Sequence, residues 1–235
     1  MRKYRSNAAS DVRFEYCVEL AAGLAQFPET SSAALEIEAV NDALDSQHQM
    51  RRALRVPVVK TRAAMRFAEY NAERTIRTAL RAAEIEDGGR RGRICTAVFP
   101  KGSTPIITPA GRAQVKPMKE LVDRLQHAKV PGIEAYRNGW LPRLEAALAG
   151  LQAAIAAHES AFAAHDDAFK AELALRDAHH DAVDRAMGIV RAAFPRDREL
   201  QDVIFPVLET ATPKGQDVPV EDADEFGTPA APAQG

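Results

Sequence analysis

Three histidines and a glutamate recur at seven-residue steps late in the sequence: His158, His165, Glu172 and His179. On a helix this spacing places them on one face, where a coiled-coil seam normally carries leucine. Imidazole and carboxylate suit zinc, iron or manganese, and helical bundles hold such ions between facing helices. Residues seven apart lie roughly 10 Å apart along a helix axis, too far to share an ion that sits about 2.1 Å from each ligand. A metal centre here therefore needs ligands from a second helix. His48, with Asp45 three residues before it, is the histidine available in the first long helical stretch. The paired Glu-x-x-His pattern of carboxylate-bridged bundles is absent; Asp45-x-x-His48 and Asp177-x-x-His180 come nearest.

The competing account of this column is structural. Ala147, Ala154, Ala161, Ala168, Leu175 and Ala182 form an alternative seam, with the histidines at its edge fixing helix register. On that account leucine at His158, His165 and His179 gains on the order of 1 kcal/mol each where buried. This second account is favoured, and no resident cofactor is expected.

A second concentration of chemistry is cationic. Twelve Lys and Arg residues fall between Arg51 and Arg93 against five carboxylates, a local excess of seven positive charges. Arg51, Arg55, Arg62 and Arg66 can share a helix face, and Arg90, Arg91 and Arg93 sit in a glycine-rich loop. Such a surface could follow phosphates or contact a partner chain. Pairing with Asp166, Asp167, Glu172, Asp177, Asp181 and Asp184 across an antiparallel interface is the plainer expectation. Nucleic acid is not favoured, because no DNA- or RNA-binding motif accompanies the charge. Phosphate-binding loops, nucleophile elbows, H-E-x-x-H and dinucleotide fingerprints are all missing, so an enzyme is the less favoured class.

The elements that would position these groups are helices. Of 235 residues, 46% are hydrophobic but only 6% aromatic, and alanine fills much of the apolar share, as close-packed helices require. Formal charge nearly cancels at −2, which argues against a globally basic nucleic-acid binder. Residues 11–27 read as an accessory helix within an N-terminal segment, 1–29, that ends at Pro28. Thr30, Ser31 and Ser32 are start signals, and helical spacing then runs to Glu86, interrupted by a kink or reversal at Pro57. Residues 93–99 and 104–108 are rich in β-branched side chains around Pro100-Lys101-Gly102-Ser103, which predicts a small β-hairpin. Residues 116–127 form a short helix, 133–137 a helical turn broken by Asn138-Gly139, and the final long helix starts at Pro142 and stops before Pro195.

The expected architecture is mainly α: an elongated antiparallel helical hairpin, or a four-helix bundle if the long stretches fold in half. The helical domain spans 30–209 with the β-hairpin insert at about 93–108, and 210–235 is expected to be a disordered acidic tail. Cys17 and Cys95 have no partner at metal-ligand spacing and are expected to be reduced. No apolar run is long enough to span a membrane and no secretory leader is evident, so a cytoplasmic location is expected. The function expected is a non-enzymatic helical scaffold or self-associating interaction protein, a homo-oligomer or the partner of another helical protein. A metal-binding bundle and a nucleic-acid-associated protein are the alternatives.

Overall fold

The computed structural model describes residues 3–206 and is helical throughout, with seven helices and no strand among the described residues. The expected tail, 210–235, lies outside them. Helix α1 is Ser10–Leu24, α2 Ser31–Glu86, α3 Arg93–Val98, α4 Thr104–Ile107, α5 Arg112–His127, α6 Ile133–Ala193 and α7 Arg198–Ile204. The 56 residues of α2 and 61 of α6 correspond to rods of roughly 84 and 92 Å. They run in opposite directions. Partners on α6 descend as α2 ascends: Glu36 meets Arg185, Gln47 meets Ala168, Thr61 meets His158, and Ala79 meets Tyr136. No described helix is long and apolar enough to cross a membrane.

Local chemistry explains where these helices begin. Thr30 precedes α2, yet its buried hydroxyl donates to the Leu24 carbonyl at 2.6 Å, so it fastens the end of α1 to the start of α2 instead of capping. Pro57 lies inside a continuous α2 and does not reverse it. The start of α6 is nine residues earlier than Pro142 suggests, and Asn138-Gly139 is helical. Ile133 and Tyr136 are buried there, the Tyr136 hydroxyl donates to the Ala79 carbonyl at 2.8 Å, and Arg137 donates to carbonyls at the end of α5. This anchoring outweighs the roughly 1 kcal/mol that a glycine costs inside a helix.

The β-hairpin expected at about 93–108 is not formed. Those residues make α3, a turn and α4. The Asp87 carboxylate accepts from the backbone N–H groups of Gly92, Ile94 and Cys95 at 2.8–3.1 Å, satisfying donors that the first helical turn leaves open. Ile94, Cys95 and Val98 then share one buried helical face. A carboxylate contributed from outside the segment decides against its β propensity, and Pro105 takes a first-turn position in α4.

The buried apolar residues form two separate cores. At one end α1 and α7 close over α2 and α6, with Tyr16, Leu20, Leu24, Ile37, Val183 and Val190 inside. At the other end α3, α4 and α5 pack on the two long helices around Ile76, Phe99, Met118, Leu121, Leu125 and Leu144. Cys17 and Cys95 are free and buried, one in each core. Between the cores α2 and α6 meet over a middle section that buries Asn41, His48, Glu172 and His179 beside Leu44, Val58 and Ala168.

Candidate functional site

Glu172 is the hub of that middle section. Helix α6 brings it to full burial beside Ser10 of α1 and His48 and Arg51 of α2. Ser10 Oγ donates to Oε1 at 2.6 Å and Arg176 Nη2 at 2.7 Å, with His48 Nδ1 3.2 Å away; Arg51 Nε lies 2.7 Å from Oε2. Arg176 Nε also donates to Ser10 Oγ at 2.8 Å, and His48 Nε2 stands 3.3 Å from Asp11 Oδ1. Burial alone would raise the Glu172 pKa. Hydrogen bonds from Ser10 and Arg176 and the charges of Arg51 and Arg176 outweigh it and hold the carboxyl below its ordinary value. A carboxylate paired with cations in this way stays charged and is a poor proton shuttle.

His179, two turns further along α6, is also fully buried, but its hydrogen-bond partners are neutral. Its Nδ1 is 2.7 Å from the Tyr4 hydroxyl and its Nε2 is 3.2 Å from Asn41 Oδ1. An imidazole protonated only at Nε2 satisfies both, donating to the amide oxygen and accepting from the phenol. Burial, then the electrostatic influence of Arg13, His180 and Lys3, lowers its pKa to about 4, so it is uncharged near neutrality. Arg13 is itself buried, lies over the Tyr4 ring and donates to the carbonyls of Ser6, Ala8 and Arg176.

The remaining column members are elsewhere. His158 pairs through Nδ1 with Thr61 Oγ1 at 3.2 Å and is half-buried, as is His165. The structure thus distributes His158, His165, Glu172 and His179 among separate environments. Among the described residues no three His, Cys, Asp or Glu side chains converge on a point that an ion could occupy. The partners Ser10, Tyr4, Arg13 and Asn41 were not foreseen. One signal was present: Asn41 and His48 continue the three- and four-residue steps of Ile37 and Leu44, placing polar groups in the seam of α2 opposite those of α6.

The cationic segment also divides. Arg51 points inward to Glu172, with its guanidinium over the Phe169 ring. Arg62 is half-buried, whereas Arg55 and Arg66 are exposed. Arg91 donates to the Phe99 and Pro100 carbonyls, and exposed Arg90 and Arg93 stand beside it, past the end of α2. Those three follow the end of α2 at Glu86, which is about 30 Å along the rod from Arg66, so the seven arginines do not make one surface.

The outer side of α2 carries a different feature. Val56, Val59, Phe67 and Tyr70 are 53%, 47%, 66% and 58% exposed, and Ala63 between them is exposed too. At about 100° per residue these five fall within an arc of about 80°, turned about 160° away from Val58, Thr61 and Met65 on the α6 side. Arg52 precedes this apolar strip on the same face, and Arg74, Arg77 and Arg81 continue it; Lys60 and Arg66 flank it, all exposed. Residues 46–68 contain six cations and no carboxylate. Comparison with protein-family models, curated proteins and solved structures finds no match.

Proposed function

We propose that this chain is a non-enzymatic helical scaffold that docks a partner chain along the outer face of α2. The observation that carries the reading is the strip Val56, Val59, Ala63, Phe67 and Tyr70, an apolar face bracketed by cations at both ends. Burying large exposed side chains stabilises by about 1.5–3 kcal/mol each, and a contiguous apolar strip rimmed by charge is the mark of an interaction surface. The rim selects the partner. A second copy of the same face would set Arg52, Lys60, Arg66 and Arg74 against their counterparts, and like charges in contact cost several kcal/mol. The occupant is therefore an acidic segment with apolar side chains of its own. The polar middle of the rod, centred on Glu172, supports this role by fixing the register of two alanine-rich helices.

A titration of full-length protein with a synthetic amphipathic peptide, glutamate-rich on its polar side, tests this reading. Binding is expected to weaken steeply with salt and to drop about tenfold or more in Phe67→Ser/Tyr70→Ser, whose positions are exposed and outside both cores. A lysine-rich version of the peptide is expected not to bind. Equal binding of both peptides, or of neither, refutes the reading. A second reading has one specific observation in its favour: Phe67 and Tyr70 stand exposed beside Arg66 and Arg74, as in surfaces that stack single-stranded bases. Tighter binding of a single-stranded oligonucleotide than of the acidic peptide would favour it.

A further inference from the structure

The described chain ends at Pro206, and residues 207–235 contain six carboxylates and one lysine. Four of those carboxylates are concentrated in residues 218–226, Val-Pro-Val-Glu-Asp-Ala-Asp-Glu-Phe, which set valines at one end and a phenylalanine at the other around the acids. This is the chemistry the outer face of α2 calls for. We propose that residues 218–226 are an internal occupant of that face, held there until a partner displaces them. The proposal rests on the docking reading above and names what regulates the same surface.

Length, charge and position all permit it. Ile204 and Phe205 are buried in the core that also holds Ile37 of α2, so the chain leaves the described part beside the first turns of that helix. From Ile37 to Val56 is about 29 Å of helix at 1.5 Å per residue. From Pro206 to Val218 an extended chain covers about 40 Å. Residues 218–226 then span about 26 Å when extended, against about 21 Å from Val56 to Tyr70. Val218 and Val220 would lie near Val56 and Val59, Phe226 near Phe67 and Tyr70, and the four carboxylates between them beside Lys60 and Arg66. Tethering makes a weak contact effective, because a covalent link of this length holds its cargo at a local concentration of about a millimolar.

The same acidic peptide, titrated into the full chain and into the full chain carrying Glu221→Gln, Asp222→Asn, Asp224→Asn and Glu225→Gln, tests the proposal. The neutralised chain is expected to bind the peptide about fivefold or more tightly at low salt, with the advantage shrinking as salt screens the tail. Equal affinity for both proteins overturns the internal occupant and leaves the docking face standing; binding to neither overturns both. Carbodiimide coupling gives a second measurement, since it joins a lysine to a carboxylate only in direct contact. Lys60 is expected to couple to the acids of residues 221–225 within one chain, and to lose that link in Phe67→Ser/Tyr70→Ser. Equal coupling to Lys119, exposed on α5, shows random encounter and overturns the proposal. Links found only between isotopically distinct chains overturn it in favour of a second copy.

Discussion

Glu172 is stripped of water and given Ser10, His48, Arg51 and Arg176 in exchange. Such a group is worth little compared with a well-packed leucine, but removing it alone leaves four cationic or donor groups without their acceptor. Glu172→Ala is therefore expected to lose about 3–5 kcal/mol in chemical denaturation; a loss below about 1 kcal/mol would place these partners in water after all. His179 carries the pH dependence. Its ordinary pKa of 6.5 falls to about 4 in the fold, with burial the main cause and Arg13, His180 and Lys3 adding to it. Between those values the unfolded chain holds the extra proton. Stability is therefore complete above pH 6.5 and declines as pH falls toward 4, by on the order of 1–3 kcal/mol. Glu172 adds a loss of the same sign at lower pH, where its carboxyl finally protonates. His179→Leu is expected to flatten the decline between pH 6.5 and 4 in a series of thermal melts. The same substitution leaves the Tyr4 hydroxyl and the Asn41 amide oxygen buried without their partner. It thus destabilises by about 1–3 kcal/mol near neutrality, where the seam position taken alone suggested a gain.

Helix α3 shows how one residue chooses an element. Backbone N–H groups from Cys95, Ile94, Gly92 and Arg93 outweigh the effect of burial and hold the Asp87 carboxyl below its usual range. Asp87→Ala is expected to cost about 1–2 kcal/mol and to speed hydrogen exchange first at Gly92, Ile94 and Cys95; unchanged exchange there would contradict the cap. The sequence of residues 93–108 could not reveal this, because the capping group precedes the segment and a β-branched run reads the same whether or not it is capped. Long periodic stretches were more legible. The stripe through Ile37 and Leu44 repeats over enough turns that Pro57 does not override it, and two long helical stretches were legible from spacing, but neither the continuity of α2 through Pro57 nor the start of α6 at Ile133 was. What spacing could not show was what each polar seam residue would meet, since Ser10, Tyr4 and Arg13 come from a segment more than a hundred residues away. Pro57 remains a local defect, exposed on α2 and lacking an N–H. Pro57→Ala is expected to raise stability by on the order of 1–3 kcal/mol in thermal melts. A loss of stability would mean that the proline sets a bend the pairing with α6 requires.

Along the whole molecule, apolar burial is concentrated at the two ends and polar contacts occupy the middle. Apolar contacts cooperate because each buried side chain touches several others, whereas the seam between the cores is held by pairs such as Asn41 with His179, Arg51 with Glu172, and Thr61 with His158. Coupling between the ends therefore passes mainly through two helices, and each end is expected to open as a unit of its own. Leu20 is fully buried in the α1–α7 end and Leu121 in the α5 end. Truncating either to alanine costs about 2–5 kcal/mol within its own core. Native-state hydrogen exchange on Leu20→Ala should accelerate the amides of α1 and the first turns of α2 while those of α5 keep their protection, and Leu121→Ala should do the reverse. Thermal unfolding of either variant should then depart from a single transition, with tyrosine signals from Tyr4 and Tyr16 separating from the signal of Trp140 at the other end. Equal acceleration at both ends, with coincident transitions, would show that the polar seam couples the cores into one folding unit. The register contacts around Glu172 would then bind the rod together as tightly as its apolar ends do.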